Sequence, residues 1–205
     1  MKSGLLQCSR DPVVRKENRL ESMQPMRTEL GDGSLRLRTY RMEDVDALYE
    51  AVRESLAELS RWLPWAHADY SKEETHDWIA SRPEAWGTEE YSFVIEDPIS
   101  GTLLGGTALN HLQLAERRVN LGYWVRTRAT GQGIATAATR LLAREAFEGL
   151  GLKRIEIIVA SGNLSSQRVA AKAGAVREGI LRQRIRLGSE QRDAVCFSLI
   201  PSDLA

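Results

Sequence analysis

Six consecutive residues, Arg128-Ala-Thr-Gly-Gln-Gly133, carry the most legible chemistry in this chain. They stand between a strand-like run, Val119 to Val125, and a run with apolar residues at helical spacing, Ile134, Ala138, Leu141, Leu142 and Ala146. A Gly-x-Gly turn that opens a helix leaves several backbone N–H groups unpaired and pointing outward. Without side chains the glycines let an anion approach that backbone closely. The helix dipole adds to the attraction. The chemistry implied is capture of a phosphate or pyrophosphate by Gly131, Gln132, Gly133, Ile134, Ala135 and Thr136. Arg128 either adds a charge-assisted contact there or is a solvated surface arginine.

Three readings of the turn compete. It can be a plain helix start with convenient glycines. It can be a dinucleotide fingerprint, although Gly131-x-Gly133-x-x-Thr136 lacks the third glycine and the strands upstream do not build repeated strand-helix-strand units. It is not G-x-x-x-x-G-K-[ST], which excludes a nucleotide P-loop. The third reading depends on what else the chain holds.

Asn163-Leu-Ser-Ser166 opens a later helix. Asn163 reads as an N-cap, and Ser166 adds a hydroxyl in the first turn. Trp62 and Trp65 flank Pro64 in a linker. They either cover the core or, where a cleft lies beside the linker, form an apolar wall for it. Arg182, Arg184 and Arg186 share one strand face, and Arg192 begins the partner strand. They read as a solvated face or as a docking patch for an acidic partner.

The elements that must position these residues follow from periodicity. Residues 34–40 alternate as a short strand, and Val45, Leu48, Tyr49, Val52 and Leu56 mark an amphipathic helix. Ser71-Lys-Glu-Glu74 is a capping box opening a second helix, with Pro83 and Gly87 as its expected enders. Tyr91, Phe93 and Ile95 alternate as a strand, and Asp97 to Gly101 is a turn. Leu103 to Leu109 is the next strand, with Gly105-Gly106 marking a bulge or close approach. A polar loop around Glu116 leads to the strand ending at Val125. Short loops predict an antiparallel meander. The Ala-rich helix, a strand at 155–159, the Asn163 helix stopped by Gly174, and a hairpin of 176–187 and 192–200 complete the chain. The order is β-α-α-β-β-β-α-β-α-β-β, an α/β fold with a central mixed, mostly antiparallel sheet and helices on both faces.

This constellation resembles the GCN5-related N-acetyltransferase superfamily from about residue 34 to 200. More narrowly it is similar to the ribosomal-protein N-terminal acetyltransferase branch. The segments that carry the likeness are Arg61-Trp-Leu-Pro-Trp65, Leu121-Gly-Tyr-Trp-Val125, Gly131-Gln-Gly-Ile-Ala135 and Asn163-Leu-Ser-Ser-Gln-Arg-Val169. The resemblance implies acetyl-CoA, or another acyl-CoA, as donor. It places the pantetheine arm against Trp124 and Val125 and the pyrophosphate around residues 128–136, with Asn163 and Ser166 near the sulfur. Ser166 would then assist the departing thiolate, a sensible post for a hydroxyl donor where charge develops. The reaction implied is direct attack of an amine on the thioester, without a covalent enzyme intermediate or a metal. The acceptor is a protein N-terminus or a small-molecule amine. In that branch a Glu on the penultimate strand serves as base; the matching position here is Ile185. His111 and Glu116 are the substitutes, with a water chain sufficing for an amine of pKa near 8. The default reading of His111 is a loop histidine without a role. Two other function classes stay open: a non-catalytic acyl-CoA sensor, motivated by the missing carboxylate, and a dinucleotide-binding protein.

The totals are consistent with this. The chain has 205 residues, 42% of them hydrophobic and 27% charged, as in one soluble globular domain. Lys+Arg and Asp+Glu both number 28. A zero net charge gives no global pull toward nucleic acid or an anionic membrane, so neither is required as a partner. Cys8 and Cys196 lie too far apart to predict a disulfide framework or metal site, which points to a reduced, cytoplasmic setting. No apolar run approaches the ~20 residues that span a bilayer. Residues 1–26 lack periodicity and read as a flexible extension, with the catalytic domain at 27–205. A homodimer is a prior drawn from how often such enzymes pair.

Overall fold

Alternation along the strands decides which side of the sheet each residue faces. In a computed structural model, which describes residues 24–204, Phe93 and Ile95 pack into one apolar cluster while Val94 between them packs into another. Successive side chains on a strand point to opposite faces, so the chain needs cover on both. The strands are β1 (Glu29–Gly31), β2 (Arg36–Arg38), β3 (Glu90–Glu96), β4 (Leu103–Gln113), β5 (Arg118–Val125), β6 (Arg154–Ala160), β7 (Val176–Leu187) and β8 (Glu190–Leu199). The helices are α1 (Val45–Glu54), α2 (Leu56–Leu59), α3 (Lys72–Ala85), α4 (Ile134–Glu148) and α5 (Leu164–Ala173). Leu48 and Val52 of α1 and Ile79 of α3 cover the Val94 side. Leu142 and Ala146 of α4 and Ala170 of α5 cover the other.

The sheet order is β1-β2-β3-β4-β5-β6-β8-β7. Every pair is antiparallel except β5 and β6. That parallel pair is joined through a helix, α4, because parallel neighbours need a crossover. Its pairing is short: Arg118, Val119 and Asn120 oppose Arg154, Ile155 and Glu156, and there the register stops. Beyond Asn120 the two strands part. β5 stays with β4 up to Val125, and β6 stays with β8 up to Ala160.

The meander, the α4 crossover and the final hairpin are those predicted, as is the Ser71–Glu74 capping box, which forms with both of its hydrogen bonds. Three details differ. β1 was not anticipated, because three residues are too few to show a period. Pro83 does not end α3; it sits inside the last turn, and the chain leaves the helix at Trp86, before Gly87 in the left-handed region. The main core also reaches upstream of residue 27: Met26 is buried in it, and the Gln24 N–H donates to the Gly149 carbonyl. The rest of the predicted extension, residues 1–23 with Cys8, lies outside the described residues.

Candidate active site

The turn before α4 has the backbone that its glycines allow. Gly131 and Gly133 adopt φ of 78° and 82°, a left-handed conformation that an L side chain resists. A Cβ at either position would meet nothing within 4 Å, so conformation, not crowding, requires glycine here. Gly133 caps α4 without a side-chain bond. Among the described residues, the N–H groups of 131–136 have no hydrogen-bond partner; the first bond of the series runs from the Ala137 N–H to the Gly133 carbonyl. This row of donors above open space is suited to a diphosphate.

What holds the turn in place was not evident from the sequence. Arg126, at the end of β5, is only 3% exposed. Its guanidinium donates to the Leu103 carbonyl at 3.1 Å and to the Glu54 carboxylate at 3.1 Å through Nε. The Thr127 N–H donates to Ser55 Oγ at 2.9 Å, and the Arg128 N–H donates to Glu54 at 3.0 Å. The Arg126 hydrogen bond, with help from the Arg128 N–H, holds the Glu54 carboxyl below its usual range. The C-terminal end of α1 is thus tied to the turn. The Arg128 side chain is exposed and leans toward the same acids, 3.5 Å from Glu54 and 4.0 Å from Glu50. The available clue was an arginine closing an apolar strand, which must find partners if it is buried.

The fork between β5 and β6 is braced by a side chain. Asn120 Oδ1 accepts from the Ile158 N–H at 3.4 Å, and its Nδ2 donates to Asn110 at 2.8 Å. Past this point β5 has no register with β6 among the described residues, which leaves the β6 side of Leu121 to Val125 open to a strand-like ligand. Trp124 lies opposite Gly106 and Val125 opposite Gly105. A Cβ at Gly105 would stand 2.2 Å from the Trp124 carbonyl oxygen, and one at Gly106 would stand 2.7 Å from the Trp124 indole nitrogen. The Gly105-Gly106 pair therefore serves the close approach that the sequence suggested.

Across the fork, the Tyr123 phenol donates to the Ser166 carbonyl at 2.8 Å, and the Ser166 hydroxyl donates to the Tyr123 oxygen at 3.1 Å. Burial pushes the Tyr123 phenol up to about 12, against the opposing effect of the Ser166 bond, so it stays neutral. Asn163 Oδ1 accepts from the Ser166 N–H at 3.0 Å, the helix cap expected of it. Tyr123 was not singled out as a site residue; its alternation along β5 gave only a strand position.

On the α1 and α3 side of β4 and β5 lies a cavity of about 630 Å³, within the range of small-ligand sites. Trp65, Tyr70, Trp78 and Trp124 line it, with Tyr123 and Gly122 on the fork side. Trp65 is 40% exposed and packs edge-on against Trp124 with ring centres 6.1 Å apart. Glu74, Asp77 and Glu90 add carboxylates and His67 an imidazole. Trp62 goes elsewhere: it stands against Gly162, in a second depression beside the β7–β8 hairpin. The two predicted base substitutes do not reach the cavity. His111, at φ 50°, and Glu116 are exposed at the irregular end of the β4–β5 pairing, where Glu116 pairs with Arg118 at 2.7 Å. Ile185 is on β7, across from Arg192 at the sheet edge. Arg182, Arg184, Arg186 and Arg192 are all exposed, and a shift at Gln183, φ 52°, interrupts the alternation assumed for them.

The Acetyltransferase (GNAT) domain family matches residues 34–176. The chain belongs to the GNAT acetyltransferase family. It is 31% identical over 169 residues, 80% of this chain and 90% of the relative, to the Bacillus subtilis (strain 168) protein named "Putative ribosomal N-acetyltransferase YdaF". The solved "putative ribosomal-protein-serine acetyltransferase from Vibrio cholerae" superposes with a TM-score of 0.76 at 30% identity, covering 87% of this chain and all of that one. Mycobacterium smegmatis RimJ, solved with a CoA-disulfide, superposes with a TM-score of 0.77 at 27% identity, covering 89% of this chain and 92% of that one. As a GNAT member the protein is an N-acetyltransferase that draws on acetyl-CoA. The unpaired N–H row and the parted strands fit that donor: one suits a diphosphate, the other an amide-bearing arm.

Proposed function

We propose that this GNAT enzyme acetylates the α-amino group of a protein chain, in particular a ribosomal protein, in the cytoplasm. The observation that carries the reading is the cavity beside the fork, walled by Trp65 and Trp124 and carrying Glu74, Asp77 and Glu90. Carboxylates draw in an ammonium group, and aromatic faces favour a cation or an apolar first residue. An α-amine titrates near 8, so a useful fraction is neutral at pH 7, unlike a lysine near 10.4. The names of the relatives point to the same acceptor class.

In this reading the N–H groups of 131–136 hold the pyrophosphate, with Arg128 at its edge, and Trp124 and Val125 pair with the pantetheine arm. Trp65 is the wall of the acceptor cleft. The neutral amine attacks the thioester carbonyl, a C–N bond forms and the C–S bond breaks. The acceptor ammonium has two protons to lose. One leaves before attack; the other ends on the thiolate, by way of the Ser166 hydroxyl that Tyr123 orients. The test is thiol release from acetyl-CoA with three kinds of acceptor: ribosomal N-terminal peptides, the same peptides with blocked N-termini and an internal lysine, and small amines. Turnover with the free N-termini is expected. Turnover confined to small amines or to blocked peptides refutes the acceptor assignment.

A further inference from the structure

We propose that His67 is the base that takes the first proton from the acceptor amine, with Glu74 holding its ring in the required tautomer. The inference rests on reading the cavity as the acceptor cleft. It fills the post left open by Ile185, and by His111 and Glu116, which stand away from that cavity.

Both residues line the cavity, on the linker before α3 and on its first turn. His67 Nε2 lies 2.9 Å from Glu74 Oε1. The other oxygen of Glu74 accepts from the Ser71 N–H at 2.9 Å, in the capping box. The carboxylate is therefore fixed from two directions. The Ser71 N–H first, and then His67, hold it below the usual carboxylate range, so it is an anion at neutral pH. An anion accepts and does not donate, so Nε2 carries the hydrogen. Nδ1 then holds the free lone pair.

The other groups in the cavity are poorer bases. Glu90 is engaged by Arg82 and by the Ser92 hydroxyl. Asp77 lies 3.1 Å from His76. Burial pushes the phenols of Tyr40, Tyr70 and Tyr123 upward, so they hold their protons. The groups that face His67 are Glu74 and Asp77 from α3 and the Tyr70 ring, edge-on at 6.2 Å, on its own linker. From α1, Tyr49 stacks on Tyr70, and Arg53 donates to the neighbouring Ala68 carbonyl at 2.9 Å. His67 and Glu74 are each 47% exposed, so the proton has a direct exit. In the step itself, an acceptor N–H bond breaks, its proton goes to Nδ1, and the resulting imidazolium returns it to solvent. The nitrogen lone pair is then free to attack.

The experiment compares pH profiles of kcat/KM for the wild type, H67Q and E74Q, using an amine that the wild type acetylates, with acetyl-CoA affinity measured alongside. The wild type should show a limb that rises with pH as the base loses its proton. H67Q should lose that limb and fall about a hundredfold in kcat at neutral pH, the low end of what a general base supplies, while acetyl-CoA affinity is unchanged. E74Q should keep the limb, shifted to lower pH, because its neutral amide no longer stabilises the imidazolium. An H67Q profile that keeps the wild-type limb with unchanged kcat overturns the proposal. W65A separates this from failure of the cleft reading: an unaltered acceptor KM in W65A refutes the cleft, whatever H67Q does.

Discussion

Arg126→Met tests whether the buried arginine after β5 is what holds the pyrophosphate turn. The substitution keeps most of the side-chain length and removes all donors. The Leu103 carbonyl, 3.1 Å from the guanidinium, loses a buried partner, at about 1–3 kcal/mol. Glu54 loses its buried charged partner but keeps the Arg128 N–H at 3.0 Å and the Arg128 guanidinium at 3.5 Å, and is a quarter exposed, so its share is about 1 kcal/mol. Glu50 is 68% exposed, and its pairing with Arg126 at 3.3 Å contributes next to nothing. The expected loss of stability is about 2–4 kcal/mol in urea titrations. If the released turn leaves one more residue to be ordered when the donor binds, that costs about 1–2 kcal/mol, or about five- to thirtyfold in the acetyl-CoA dissociation constant by calorimetry. E50Q is the matched control and should change neither. A destabilised R126M with wild-type acetyl-CoA affinity would show that the tether supports the fold and not the site. A loss below about 1 kcal/mol would contradict the burial argument itself.

Tyr123→Phe removes both bonds between β5 and Ser166, so kcat should drop about tenfold with acceptor KM held, the pattern of an interaction used in the transition state; an equal kcat removes Tyr123 from the mechanism. Gly105→Ala would set a Cβ 2.2 Å from the Trp124 carbonyl oxygen, so β4 and β5 must separate, and the variant should be destabilised by about 3 kcal/mol or more. A melting temperature within a few degrees of wild type would mean the pair has slack. Glu178 is held at about 2 by the Arg154 guanidinium, and then by the Ser198 hydroxyl. Its folded value is depressed, so its contribution to stability is present above the ordinary 4.5 and is lost as pH falls toward about 2. E178Q should therefore flatten the loss of stability between pH 5 and about 2, modestly because the side chain is 40% exposed. Parallel wild-type and variant curves across that window would refute the assignment.

Much of the fold was legible because its signals are local. Capping at Ser71 and Asn163, the meander turns, and the glycines before α4 each depend on a few adjacent residues. The donor side of the site was legible for the same reason, since a helix start and its unpaired N–H groups are one continuous segment. Pro83 was over-read as a stop. α3 carries the proline in its last turn, where the missing N–H removes a single bond, the one to the Ile79 carbonyl, and the helix ends two residues later. Contacts between distant segments were largely illegible. The parting of β5 and β6 shows only in which residues stop pairing, and the Tyr123–Ser166 bond spans 43 positions. Arg126 reaches Glu54 across 72.

The two tryptophans of the α2–α3 linker show where the division lies. Their types, and the proline between them, marked an aromatic linker that either covers the core or walls a cleft, and the sequence left the two open. Which one faces the cavity depends on how the linker crosses the sheet, and the fold sends Trp65 to Trp124 and Trp62 to Gly162. His111 and Glu116 were chosen because they are titratable and close in sequence to the meander. His67 joins the cavity instead because the α3 capping box turns Glu74 toward it. Backbone conformation is written in neighbouring residues, so the sequence determined the glycine turn and its row of unpaired N–H groups. Which side chains share a cavity depends on contacts between distant segments, and only the tertiary structure decided that.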